Sequence, residues 1–313
     1  MIARPARRCL GVAAGLALDR VAGDPTDELH PVAWFGSAMQ RVEAVTWADR
    51  RAAGVVYASV GVGLGALAGV VARSVTVVVA TTVAGRQLRG TAASIGGIAA
   101  TDVDAARRKL RSLVGRDPSE LDAGGVAAAA IESVAENSVD AVVAPVFWAL
   151  VAGAPGAAAY RAINTMDAMV GHRSARYRSF GWAAARLDDV ANYVPARIFA
   201  ALVALHVPSA ARAIWTATRV DASAHPSPNA GVAEAAMAAA LGVELGGTLR
   251  YGERVEHRPA LGSGVRPAPA DVARAVRLAD AIERTIAVAT AGVGVAAVVS
   301  RVVVPRGRQR SSA

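Results

Sequence analysis

Charge, lysine and cysteine are all scarce in this chain of 313 residues, and each scarcity removes a class of function. Cys9 is the only cysteine, which excludes an internal disulfide and any zinc site built on thiolates. Lys109 is the only lysine, and no G-x-x-x-x-G-K-[ST] occurs, so a lysine-bearing phosphate loop is excluded. That lysine is also the single candidate for Schiff-base chemistry, and it lies in a basic run that reads as solvated. Only 19% of the residues are charged, against about 25% in soluble domains. Repeats at a fixed period are not visible in the sequence.

Long uncharged runs take the place of charge. Ala52–Ala72 holds 21 residues without a charge, Ala141–Tyr160 holds 20, and Thr285–Ser300 holds 16. Ser74–Gly85 continues the first run beyond Arg73. A helix needs about 20 apolar residues to cross a bilayer core. Cys9–Leu18 and Ile198–Ala211 are shorter and read as half-spans or as helices buried in a bundle. The expectation is an all-α, multi-pass helical bundle of four to five spans in the cell membrane, forming one domain over 1–313. It includes an amphipathic helix at Asp102–Val114, a Gly-rich loop or hairpin at Glu244–Gly264, and a basic, disordered tail at 301–313.

The net charge of +9 would ordinarily suggest nucleic acid. Here the arginines flank the apolar runs: Arg4, Arg7 and Arg8, then Arg86 and Arg89, then "RRKLR", then Arg301 onward. That distribution follows the positive-inside rule, and no nucleic-acid partner is expected. It predicts that both termini and Arg86–Arg116 share the cytoplasmic side. The segment "MIARPARRCLGVAAGLAL" shows no small-x-small cleavage site before Asp19 and reads as a retained anchor.

Four polar clusters interrupt this apolar chain. "LDRVAGDPTDELHPV" carries Asp24 and His30. "IESVAENSVDAVVAP" spaces Glu132, Glu136 and Asp140 four residues apart, with Asn137 beside them. On a helix that spacing stacks three carboxylates on one stripe, which asks for a metal or for arginines unless the face is simply solvated. The third cluster holds Asn164, Asp167, His172, Arg176, Tyr177, Arg186, Asp188, Asp189, Asn192 and Arg197. The fourth, "HPSPNAGVAEAAMA", holds Ser227, Asn229 and Glu234. Polar groups recurring beside four apolar segments favour one shared site that could hold Mg²⁺ and an anionic substrate. Neutralisation of neighbouring Asp and Arg by each other is the simpler alternative.

These clusters, in this order, resemble the CobD/CbiB family of cobalamin biosynthesis proteins, the adenosylcobinamide-phosphate synthases. The resemblance rests on E-N-x-x-D-x-x-x-A-P and on N-T-x-D-x-M-x-G…R-Y…F-G…D-D…N-Y-x-P-A-R, and it covers much of Asp19–Gly252. One departure is His172-Arg173, where Tyr or His followed by Lys is expected.

The resemblance implies an ATP-dependent carbon–nitrogen ligase using ATP and Mg²⁺. It would join (R)-1-amino-2-propanol or its O-phosphate to the propionate of adenosylcobyric acid. Its partners would be the corrinoid, the amine and the lipid bilayer, and a homo-oligomer is compatible with it. Glu132, Glu136, Asn137 and Asp140 are then metal candidates. Asp188, Asp189, His30, His172 and Arg197 are catalytic candidates, with Arg176, Arg186 and Arg197 available for phosphate. Asp24, Asn164, Asp167, Tyr177, Asn192, Ser227, Asn229 and Glu234 complete the substrate set. A membrane sensor of the AmpE type and a corrinoid transporter are the alternatives. The transporter would show repeated halves, which this sequence lacks.

Overall fold

The computed structural model of the chain describes residues 4–24, 26–115, 117–172, 174–251 and 254–303, so the expected disordered tail lies outside the described residues from 304 onward. The fold is helical with one small hairpin. Helices α1 (Arg4–Ala22), α2 (Pro31–Thr46), α3 (Arg51–Ala72), α4 (Val75–Thr82), α5 (Gly85–Ala99) and α6 (Val103–Leu110) come first. Then α7 (Ala123–Ser138) runs through a π turn at Val139–Val143 into α8 (Ala144–Val170). After these come α9 (Trp182–His206), α10 (Ala211–Arg219), α11 (Ala230–Leu241), the antiparallel pair β1 (Leu245–Tyr251) and β2 (Arg254–Leu261), and α12 (Pro269–Val303). The Gly-rich segment is thus a hairpin. By length and composition Arg51–Ala72, Ala123–Val170 and Pro269–Ser300 could cross a membrane, and a fourth crossing is available if α9 and the segment bent from it by 113° count as one.

The second of those three segments does not run straight. Asp140 and Asn164 are 24 residues apart, a separation of about 36 Å along a continuous helix. Their side chains are instead hydrogen-bonded at 3.1 Å. The reversal occurs at Gly153, whose φ of 73° and ψ of −156° belong to a region only glycine occupies at low cost. Residues 141–152 therefore form one arm and 154–170 the returning arm. Reversal leaves the last carbonyls of the first arm without helical partners, and the Arg8 guanidinium donates to both Leu150 O and Val151 O. The uncharged run Ala141–Tyr160, expected to span once, is a helical hairpin.

The π turn has an equally local cause. Pro145 carries no N–H, so the Ala141 carbonyl loses its normal helical donor. Ala84 N donates to that carbonyl instead, at 3.1 Å, tying the turn to the start of α5. Ahead of α7 the N-cap is Asp122, which accepts from Gly125 N at 2.7 Å, while Asp117 closes a turn on Ser119 N.

The returning arm packs on α3 through small residues. A Cβ on Gly61, Gly65 or Gly69 would come within 3 Å of Met166, Ala162 or Ala154, so the four-residue glycine spacing sets how closely the helices approach. Ion pairs fasten α12 to α1 and α5. Arg20 and Arg89 both pair with Glu283 and with Asp280, including Arg20–Glu283 at 3.0 Å and Arg89–Asp280 at 3.4 Å.

Helix α1 separates two arginine groups. Its first turns lie against the hairpin tip, while at its far end Asp19 accepts from Arg86 N at 3.1 Å. Gly294 of α12 packs on Leu10, so α12 ends on the side where α1 begins. Among the described residues the start of α1 and the end of α12 lie on one side, and Arg86 lies near the other end of α1, beside Asp19.

Gly153→Ala is expected to destabilise the protein by about 1–3 kcal/mol through its positive φ alone. Gly63→Ala, where an added Cβ meets nothing within 4 Å, should leave melting unchanged or slightly raised. Detergent-phase thermal melting of the two variants side by side checks this.

Candidate functional site

Three segments distant in sequence converge where the hairpin returns. The Asn164 amide nitrogen donates to Asp140 Oδ2 at 3.1 Å and to Asp188 Oδ1 at 3.4 Å. Asn192, one turn after Asp188 on α9, donates to Asp188 Oδ2 at 3.0 Å, and the Tyr160 hydroxyl donates to Asn192 Oδ1 at 2.8 Å. Arg161 completes the string by donating to Asn164 Oδ1 at 3.3 Å. Each donor polarises the next, so both carboxylates are held by one directed network. Asp140 also lies in the field of Glu136 and Arg161, and Asp167 in that of Asp188, Asp189 and Glu136. A cavity of about 20 Å³ opens beside the pair, bounded by Glu136, Asp140, Asp188, Asn192, Ser227 and Asn229. It has room for about one water or one small ion.

On the other side of Arg161 lies a larger open cavity of about 710 Å³, whose polar lining includes Asp24, His30, Gln40, Arg86, Gln87 and Arg161. His30 caps α2, its Nδ1 accepting from Val32 N at 3.1 Å, which leaves the proton on Nε2, 3.7 Å from Asp24 Oδ1. The free lone pair of a neutral imidazole is thereby spent on the backbone. His30 thus orients Asp24 rather than serving as the base itself. Burial pushes the Asp24 carboxyl above its usual range, while His30 and Arg161 pull it back.

The acidic stripe divides: Glu136 and Asp140 bound the small cavity, while Glu132 lies outside its lining. Glu132 accepts from Gly246 N at 2.8 Å and anchors β1, and Asn137 donates back to Ser133 of its own helix. Asp140 lies in the π turn, and Asn164 links it to Asp188. Among the described residues no three His, Cys, Asp or Glu side chains converge as a metal cage. Mg²⁺ asks for less, commonly one or two carboxylates with waters and substrate phosphates, and the Asp140–Asp188 pair beside an ion-sized cavity fits that demand.

Other candidates form separate structures. Arg176 and the Tyr177 hydroxyl both reach Glu43 Oε1, at 3.0 and 2.9 Å, Arg176 stacks on Trp47, and His172 packs edge-on against Tyr177. This latch holds the 171–181 segment to α2, and no hydrogen bond or ion pair among the described residues links it to Asp188. Arg186 pairs with Asp189 at 3.0 Å on the surface of α9.

Arg197 is a catalytic candidate available for phosphate. It donates instead to Asn229 Oδ1 at 2.9 Å and Pro228 O at 3.2 Å, and lies over the Tyr193 ring. Asn229 in turn donates to Asp189 O at 2.7 Å, while Ser227 Oγ accepts from Ala230 N at the start of α11. Glu234 is buried and faces His225 Nε2 at 3.8 Å, behind the wall of the site rather than in it. Sequence reasoning missed Arg161, treating it as the end of an apolar run; its spacing of three from Asn164 was the available signal.

The profile of the family described as CobD/Cbib protein matches residues 12–279. The chain belongs to the CobD/CbiB family. "Cobalamin biosynthesis protein CobD" of Mycobacterium tuberculosis H37Rv is 47% identical over 295 residues, covering 90% of this chain and 94% of that protein. The protein of the same name from Rhodobacter capsulatus is 52% identical over 200 residues, 64% of this chain and 62% of that one. That from Chromobacterium violaceum is 43% identical over 281 residues, 84% and 89% respectively. No solved structure matches the chain. This CobD/CbiB chain accordingly has its role in cobalamin biosynthesis.

Arg197→Lys in this CobD/CbiB protein is expected to lower stability by about 1–2 kcal/mol, because an ammonium cannot span Asn229 and Pro228 together. The melting temperature should fall even without ligand. An unchanged melt would mean that Arg197 is not holding the 225–229 turn.

Proposed function

We propose that the chain catalyses amide formation between the propionate carboxylate of adenosylcobyric acid and (R)-1-amino-2-propanol or its O-phosphate, at the expense of ATP. The observation that carries this reading is the string Arg161–Asn164–Asp140/Asp188, set between an open polar cavity and an ion-sized one. A carboxylate does not condense with an amine at neutral pH, so it must be activated by phosphoryl transfer and the ammonium must lose a proton. Mg²⁺ would be held by Asp140 and Asp188 and would supply charge neutralisation on phosphoryl oxygens.

The protein's own groups divide the remaining work. Arg161 reaches the cavity with a guanidinium that Asn164 holds in place, and it attracts the anionic end of an incoming substrate. Asp24, oriented by His30 and raised by burial, accepts the ammonium proton at its carboxylate. Asn192 and Tyr160 keep Asp188 in the rotamer that faces Asp140. The assignment makes the protein an ATP-dependent acid–amine ligase in the cell membrane.

Detergent-purified protein given adenosylcobyric acid, either amine, ATP and Mg²⁺ should yield the amide by mass spectrometry. Asp188→Asn should lose about 10²-fold or more in turnover, equivalent to about 2.7 kcal/mol of transition-state stabilisation, while remaining folded. Absence of product with both amines, or wild-type turnover by a folded Asp188→Asn protein, would overturn the reading.

A further inference from the structure

A second charged cavity lies at the other end of α1, away from the carboxylate pair. It measures about 570 Å³ and is lined by Arg4, Arg7, Arg8 and Arg73, with Ser74, Val75 and Thr76 at the start of α4. Among the described residues none of these four arginines pairs with a carboxylate. Arg8 is committed to the hairpin tip through Leu150 O and Val151 O, which leaves Arg4, Arg7 and Arg73 directed at the cavity. Ser74 caps α4 by accepting from Val77 N at 3.3 Å, so the positive end of that helix dipole adds to the guanidiniums. Arg73 reaches its place from a left-handed backbone, φ 54°, at the turn between α3 and α4.

The surroundings select among anions. The remaining wall is apolar or small: Gly11, Gly69, Val70, Ala154 and Pro155. Leu64, Leu67, Val70 and Val71, on the last turns of α3, are exposed side chains leading away from the cavity along one of the helices fit to span a membrane. A ligand matched to both features has a phosphate at one end and hydrocarbon at the other.

We propose that this cavity binds the phosphate headgroup of an anionic phospholipid, with the acyl chains lying along α3. The lipid fastens α1 to the turn between α3 and α4 and so secures the hairpin tip that Arg8 caps. One phosphate charge set among three guanidiniums offsets part of their mutual repulsion, which a zwitterionic headgroup does less well because it brings its own cation.

Delipidated protein in uncharged detergent is melted with short-chain phosphatidylglycerol, with phosphatidylcholine of the same chain length, or with inorganic phosphate. Phosphatidylglycerol is expected to raise the melting temperature by several degrees, phosphatidylcholine and inorganic phosphate much less, with the difference shrinking at high salt. The Arg7→Gln/Arg73→Gln protein, which keeps the Arg8 cap, should melt normally without lipid and lose the selective gain. If that variant does not fold, phosphatidylglycerol-selective protection of Arg4→Gln should still be weaker than in the wild type. Equal protection by the two lipids, or a gain retained in the variants, overturns the proposal. Protection by inorganic phosphate as strong as by phosphatidylglycerol overturns the lipid assignment in favour of a soluble anion.

Discussion

The structure depends on one reversal of the backbone. Gly153 turns the chain on itself at the tip of a helical hairpin, and the Arg8 guanidinium holds the carbonyls that the turn exposes. Without that reversal Asn164 would lie far from Asp140. With it, one amide bridges two carboxylates from different helices, and Tyr160 and Arg161 arrive at the same level on the returning arm. An uncapped helix end in an apolar bundle costs several unmet hydrogen bonds, so the arginine and the glycine act as a unit.

A second local constraint refines the first. Pro145 cannot donate to Ala141, the helix relaxes into a π turn, and Ala84 takes the released carbonyl. Asp140 lies within that turn and, with Glu136, bounds the ion-sized cavity that Asp188 also lines. The same substitution of partners links α5 to the site and fixes the edge of the larger cavity. A missing donor at one proline thus shapes the electrostatics several ångströms away.

Much of this was written in the sequence, though not all in a legible form. The apolar runs announced a helical bundle, and "GAPG" announced a break at Gly153–Gly156. Hydropathy cannot say that a break is a reversal, because both arms of Ala141–Tyr160 are as apolar as a single span would be. The glycines at 61, 65 and 69 carried a packing signal that the run's hydrophobicity concealed. Spacing arguments assume an unbroken α-helix, and the π turn at Val139–Val143 contains Asp140, so spacing alone does not show that Glu136 and Asp140 share a cavity while Glu132 reaches Gly246 N. The approach of Asp188 to Asp140 across 48 residues of sequence has no periodicity to reveal it. Arg161 sits at a segment boundary, where arginine is ordinarily read as punctuation.

The most direct test of this account is whether residues 140 and 164 touch. In a Cys9→Ala background, Asp140→Cys combined with Asn164→Cys should form an intramolecular disulfide under mild oxidation, identified as a linked peptide pair by mass spectrometry. A continuous helix would hold the two positions about 36 Å apart and forbid the bond. Quantitative recovery of both cysteines as free thiols in folded protein would contradict the hairpin, and with it the site built on its return.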